Sequence, residues 1–279
     1  MSEPSVVERA QRVETRQVVL IGVGPGDPDQ VTIEAVRAMN AVDYFVVSEK
    51  SSGGEDDPLV RTREAILAQH VDGEPRLVLV EDPERDRSPD RTATTAGYEG
   101  VVADWHEARA GAYADVLREN PGDVGFLVWG DPAFYDSLVR ILRRVGEILR
   151  FELRVVPGVS SIQLLAARHA IVLHEVGQPI HVTTGRRLRE AVAQGQKNVV
   201  VMLNRSLDDL RELDGDAWHI WWGANLGTPY EALVEGRLGA VLSAIEHARA
   251  SARTAAGWVM DVYLLRRGDA QATDASPPA

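Results

Sequence analysis

The chain has 279 residues, 44% of them apolar, which suffices for one large or two modest domains with real cores and rules out a wholly disordered protein. A formal net charge of −12 argues against duplex nucleic acid as the main partner, because neutralising phosphates needs a basic surface. There is no cysteine, which excludes disulfides, thiolate metal sites and cysteine nucleophiles together.

Residues Met1 to Arg16 are polar and carry no apolar period, so they read as a disordered tail. Short β-branched runs then alternate with helical patterns, the sequence form of parallel sheets built from βαβ units. Strands are predicted over Val18–Gly22, Tyr44–Val47, Leu77–Val80, Phe126–Trp129 and Leu153–Val156. Helices are predicted over Thr32–Asn40, Leu59–Gln69, Val101–Arg118, Ser137–Leu149 and Ser160–Ala167. The loop His174–Pro179, with Gly177, marks the expected boundary between an α/β domain at 17–173 and a second at 174–267. Strands in the second are predicted at Ile180–Thr183, Asn198–Met202, His219–Trp222 and Trp258–Leu264, and a second disordered tail at 268–279. The longest apolar runs, Val18–Val23 and Phe126–Trp129, fall far short of the roughly 20 residues a bilayer span needs. No charged-then-apolar leader is visible, so the expected compartment is the cytoplasm and no membrane partner is expected.

Three loops follow three of these strands. The first, Gly22-Val23-Gly24-Pro25-Gly26-Asp27-Pro28, is glycine-rich, and Glu49 at the end of the second strand offers a ribose acceptor, as in a dinucleotide-binding loop. That pattern requires glycine at position 27, where Asp27 stands. A carboxylate at a helix mouth repels a pyrophosphate, whereas a cationic sulfonium ligand meets no such objection. The second loop is Trp129-Gly130-Asp131-Pro132-Ala133-Phe134-Tyr135, and the third is Val156-Pro157-Gly158-Val159-Ser160-Ser161. The two serines can cap a helix or bond a ligand. All three loops should lie at the carboxyl edge of a parallel sheet, where ligands bind.

The strings IGVGPGDPD, WGDPAFYDS, VPGVSS, VVVML and WGANLGTPYE resemble the tetrapyrrole methylases across Val18 to Arg267. The resemblance implies two α/β domains, with parallel or mixed sheets, enclosing a cleft for S-adenosylmethionine (SAM). It also implies a homodimer and a tetrapyrrole substrate. By motif, the SAM contacts it implies are Pro25, Trp129, Gly130, Asp131, Phe134, Ser160 and Ser161, with Met202, Ala224, Gly227 and Thr228 from the second domain. Asp131 can accept from ribose or amine groups, and Met202 and Phe134 can pack on the flat base, although Met202 also reads as plain core.

EDPERDR at Glu81–Arg87, ADWHEARA at Ala103–Ala110, HVTTGRR at His181–Arg187 and GWVMDVYLLRR near the end resemble one branch of that family. This branch methylates C-1 of a corrin precursor and releases an acetyl group as acetate. Methyl transfer to an electron-rich ring carbon needs no protein nucleophile, so the missing cysteine fits, and no metal is expected. Acetyl loss does need a base or an electrophilic group. Asp104, His106 and Tyr98 are the candidates for it, with Arg85, Arg87 and Arg109 as anchors for substrate carboxylates. On a helix His106 and Arg109 share a face and Asp104 points elsewhere, while an exposed, salt-bridged helix is the plainer reading. His169, His174 and His181 fit no usual ligand spacing and read as structural or surface residues, and Trp218, Trp221 and Trp222 as core. The rival readings are a methylase of the same family acting at another ring position, a methylase of RNA or protein with the same fold, and a non-catalytic binding module.

Overall fold

The computed structural model describes residues 15–50, 58–82 and 95–268, and divides into two compact units. The first comprises residues up to Gly24 and Pro28–Gly158. The second comprises Val159 onward together with Pro25–Asp27.

The first unit is a five-stranded sheet of β1 (Gln17–Gly22), β2 (Tyr44–Lys50), β3 (Leu77–Asp82), β4 (Val124–Val128) and β5 (Glu152–Val156), in the order β3-β2-β4-β1-β5. All of its pairings are parallel. A strand buried on both faces has no polar side to show, which is why QVVLIG and VGFLV read as unbroken apolar runs instead of alternating. Helices α1 (Ile33–Met39) and α2 (Pro58–His70) cover one face, where Met39, Ile66 and Leu67 pack with Val19, Ile21 and Phe45. Helices α3 (Thr95–Glu119) and α4 (Leu138–Ile148) cover the other, where Tyr113, Leu117, Ile141 and Val145 pack with Leu20, Val46 and Phe126. Arg16, assigned to the tail from sequence, belongs to this unit. Its guanidinium donates to the carbonyls of Leu117 and Asn120, and its own carbonyl accepts from Glu152 N at 2.8 Å. The rest of that tail at 1–14, and the C-terminal one from 269, lie outside the described residues.

The second unit carries α5 (Ser161–Arg168), β6 (His181–Thr184), α6 (Leu188–Ala193), β7 (Asn198–Met202), α7 (Asp208–Arg211), β8 (Trp218–Ala224), β9 (Ala232–Arg237), α8 (Leu238–Ala256) and β10 (Asp261–Arg267). Its sheet runs β6-β7-β10-β8-β9, with β6 and β7 parallel and every other pair antiparallel. Leu238 and Ile245 of α8 pack against Val199, Val201, Trp222 and Tyr263. On the opposite face Ile162, Leu164 and Leu165 of α5 pack against Val200, Val262 and Leu264.

That packing moves the boundary. The division falls between Gly158 and Val159, not in the loop His174–Pro179, because the apolar side of α5 enters the second core. The loop itself is held inside the second unit: the Asn198 side-chain amide donates to the carbonyls of Leu173 (2.8 Å) and Pro179 (3.2 Å). The last strand starts at Asp261 and not Trp258, because Asn225 engages the intervening segment. Its amide donates to Trp258 O (3.3 Å), and its Oδ1 accepts from Met260 N (2.9 Å). His169 is structural, with one ring nitrogen 3.1 Å from Trp222 O and the other 3.1 Å from Glu235, and Trp218 and Trp222 are buried core residues.

Candidate active site

Three strand ends of the first unit meet at glycines. Val23 N donates to Val128 O (3.0 Å), and Gly24 and Gly130 exchange a pair of backbone hydrogen bonds (3.2 and 2.8 Å), both residues at positive φ. Against this bridge sits Gly158, so close that a Cβ on it would overlap Gly130 O and lie 2.8 Å from the carbonyl carbon of Gly22. A Cβ on Gly22 would in turn lie 2.5 Å from Gly158 N. The loops after β1, β4 and β5 therefore form one backbone junction at the carboxyl edge of the sheet, without intervening side chains.

Asp131 ties this junction together. Its Oδ1 accepts from Ala133 N (2.8 Å) and its Oδ2 from Gly158 N (2.9 Å), so one carboxylate shapes its own turn and anchors the next loop. Asp131→Ala leaves both N–H groups without that acceptor. It is expected to lower stability by about 2 kcal/mol, read as a shifted urea midpoint, and an unchanged midpoint would remove the clamp. Trp129 is half-buried and Phe134 exposed, on either side of this turn.

In the second unit Ser160 is the N-cap of α5 in a full capping box: its hydroxyl accepts from Gln163 N (3.3 Å), and Gln163 Oε1 accepts from Ser160 N (2.8 Å). The capping reading of Ser160 is thus realised, with Ser161 half-buried beside it. Pro25 is buried, and Met202 is half-buried at the end of β7. Ala224 ends β8 and is followed by Asn225 at φ 48° and Gly227 at φ 77°. Thr228 donates its hydroxyl proton to Asn225 O (2.7 Å), and Gly227 N donates to Glu231 (2.8 Å). Three of the four described non-glycine residues at positive φ, namely Tyr135, Leu203 and Asn225, fall in the loops after β4, β7 and β8. Strained backbone of this kind costs about 1–3 kcal/mol per residue and gathers at ligand sites.

The residues of α3 behave unlike an exposed helix face. His106 (7% exposed) and Arg109 (8%) are buried together, as their three-residue spacing implies. Arg109 stacks on the Trp105 ring at 4.6 Å and donates to Tyr113 OH at 2.6 Å. Tyr98 and Asp104 lie on the same helix but their side chains are outside the described set, and Arg85 and Arg87 lie outside the described residues altogether. Arg109 lines a cavity of about 130 Å³ at the carboxyl ends of β2 and β4, with Ser48, Arg63, Tyr113, Trp129 and Asp136. Burial pushes the Asp136 carboxyl above its usual range, while its hydrogen bond from Leu138 N and the charges of Arg109, Arg63 and Arg140 pull it back. Asp136 and Arg63 were not legible as site residues. Asp136 does sit inside the string WGDPAFYDS, whereas Arg63 carries no sequence signal.

A second buried polar cluster lies in the second unit. Asp261 Oδ2 accepts from Arg249 Nε (3.0 Å) and Trp222 Nε1 (3.1 Å). Arg249 also donates to Asn204 O (3.1 Å), and Asn204 to Asp261 O (3.1 Å). The cluster fixes the loop that follows Met202.

Residues 17–242 match the family model described as Tetrapyrrole (Corrin/Porphyrin) Methylases. A Sinorhizobium protein named precorrin-6A synthase [deacetylating] is 39% identical over 259 residues, covering 91% of this chain and 96% of that one. A solved cobalamin-synthesis-related protein (CobF) from Corynebacterium diphtheriae has a TM-score of 0.76 at 32% identity, covering 91% of this chain and all of that one. The uroporphyrin-III C-methyltransferase of Thermus thermophilus, solved with S-adenosylhomocysteine, shares the fold at TM-score 0.53 and 20% identity, covering 90% and 97% of the two chains.

Proposed function

This chain belongs to the tetrapyrrole methylases and is a SAM-dependent methyltransferase of cobalamin biosynthesis, and we propose that it is a deacetylating precorrin-6A synthase, methylating C-1 of precorrin-5 with release of acetate. The likeness to the Sinorhizobium enzyme, running through nearly the whole of both chains, carries this reading.

The proposed SAM contacts are Pro25, Trp129, Gly130, Asp131, Phe134, Ser160, Ser161, Met202, Ala224, Gly227 and Thr228. The residues fit such a ligand. The glycine junction offers bare backbone, and Asp27 and Asp131 stand where a pyrophosphate would be repelled and a sulfonium tolerated. SAM supplies an electrophilic methyl group when bound. The chain's own share is orientation and exclusion of water, since holding reactants in line is worth up to roughly 7–11 kcal/mol. Asp131 contributes by fixing two loops at once, and Ser160 by starting the helix it caps.

For acetyl loss the proposed bases are Tyr98, Asp104 and His106, with Arg85, Arg87 and Arg109 binding substrate carboxylates. The burial of His106 beside Arg109 supports a working face on α3. A homodimer acting in the cytoplasm without a metal completes the reading. Among the described residues no helix is long and apolar enough to cross a membrane.

Anaerobic reaction with SAM and enzymatically made precorrin-5 is expected to give a product that has gained one methyl and lost one acetyl by mass spectrometry, with one acetate released per turnover. Methyl gain with the acetyl retained would move the protein to a relative acting at another ring position, and no reaction would overturn the reading.

A further inference from the structure

Strand β10 lies between β7 and β8 and runs antiparallel to both, so its first residue stands beside the ends of both. Just past those ends the chain turns sharply. After Met202 it passes through Leu203 (φ 56°) and after Ala224 through Asn225 (φ 48°), a left-handed conformation that asparagine tolerates and leucine does not favour. Asn225 is held by its neighbour across the turn: its N–H donates to Met260 O (2.8 Å) and its Oδ1 accepts from Met260 N (2.9 Å). Leu203 is 59% exposed, so burial of its own side chain does little to hold its turn. What holds it is the residue that follows.

Asn204 is pinned from three sides. Its amide donates to Asp261 O (3.1 Å), and its own carbonyl accepts from Arg249 Nη2 (3.1 Å), which also reaches Arg205 O (3.4 Å). Its Oδ1 is buried against Gly185, in the turn after β6, where a Cβ would come within 2.7 Å of it. Arg249 is itself fixed by the Asp261 carboxylate, whose Oδ2 accepts from Nε at 3.0 Å and from Trp222 Nε1 at 3.1 Å. The guanidinium fork permits this double duty, with Nε on the carboxylate and Nη2 on the loop carbonyls. The side chains of Asp261 and Arg249 are 1% and 13% exposed. Desolvating an ion pair this deep offsets most of what its attraction returns, so stability alone is a weak reason for it.

We propose that Arg249 is a positioning residue for the cofactor: through Asp261 and Asn204 it holds Leu203 in its left-handed turn and so sets how Met202 is presented to SAM. This rests on the reading of Met202 and Ala224 as SAM contacts. Arg249 acts through the backbone of the loop and not on the ligand. With the network in place the strained turn is formed before SAM arrives. With the network loosened, SAM binding has to order the turn as well, and its affinity falls.

The test is calorimetric titration of SAM into the full-length protein and its variants. Arg249→Lys keeps a cation beside Asp261 but lacks the fork, so the carbonyls of Asn204 and Arg205 lose their donor. SAM should then bind about tenfold more weakly, a loss of about 1.4 kcal/mol. Asn204→Ala leaves the ion pair whole and should weaken SAM in the same sense. The lysine substitution is then repeated in a Leu203→Gly background. Glycine adopts this turn without strain, so there Arg249→Lys should weaken SAM by about twofold or less. Ile245→Val, which trims the buried face of the same helix without touching the network, should lower the urea midpoint and leave SAM affinity as in the wild type. Wild-type affinity in Arg249→Lys, a tenfold loss that persists in the Leu203→Gly background, or an equal loss in Ile245→Val overturns the positioning role and leaves the SAM reading intact. A wild-type protein that binds no SAM overturns the SAM reading, and the positioning role with it.

Discussion

Replacing Gly158 with alanine is expected to cost the first unit about 3 kcal/mol or more and to abolish SAM binding. The added methyl has no space: it would overlap the carbonyl oxygen of Gly130 and press on the backbone of Gly22, and none of these is the movable end of a side chain. Relief requires separating the loops after β1, β4 and β5. That breaks the paired hydrogen bonds between Gly24 and Gly130 and draws Gly158 N away from Asp131. The same substitution at Gly111, in the middle of α3 with nothing within 4 Å of the new methyl, should instead stabilise by about 0.5–1 kcal/mol because alanine is the better helix former. Urea midpoints of the two variants, with calorimetric titration of SAM into each, give the comparison. A Gly158→Ala protein with wild-type midpoint and affinity would mean that the junction yields, and that its closeness is not what holds the loops.

Arg249→Met is expected to destabilise the second unit by about 3–5 kcal/mol, the usual cost of leaving a buried ion without its partner. The Asp261 side chain is 1% exposed and that of Arg249 13%, so little solvent screens the pair. The effect should depend on pH in a definite direction. Burial raises the Asp261 pKa above the ordinary 3.8, with Arg249 and the Trp222 N–H opposing the rise. The folded protein therefore binds this proton more tightly than the unfolded chain. Its contribution to stability is fully present below 3.8 and falls as pH rises through the raised value. Without Arg249 the ionised carboxylate is worse off still, while the protonated one loses little. The penalty in Arg249→Met should accordingly be largest at neutral pH and shrink in mild acid. Urea unfolding of wild type and variant across that range checks it, and a penalty independent of pH would show that Asp261 is already protonated at neutrality.

The strands were legible because a strand covered on both faces leaves a strong local trace: β4 is apolar throughout, β1 and β7 are apolar after their first residues, Gln17 and Asn198, and a loop with glycine or a capping serine follows β1, β4 and β5. Those loops also carry the family resemblance, so the candidate SAM region followed from them. Other features depend on contacts that leave no local trace. The apolar positions of α5 have the same spacing whichever core they enter, so the boundary at Gly158 was misplaced. Strand β9, ALVEGR, is an edge strand alternating half-buried and exposed residues without a β-branched run, and it passed unmarked between β8 and α8. The cavity at Arg63 and Asp136 exists only because β2 and β4 part after two residue pairs, a register between segments far apart in the chain.

Strand order also sets the order of assembly during synthesis. β1 is among the first structured segments to emerge, yet it pairs only with β4 and β5, the last two strands of its sheet to be made. β2 and β3 can pair as they appear, but VVLIG meets its first partner only at Val124 and its second only at Glu152. Such non-local pairing slows folding and keeps an apolar strand uncovered while the ribosome works. This interior strand of the first sheet is thus also the segment of the nascent chain most in need of a chaperone's protection.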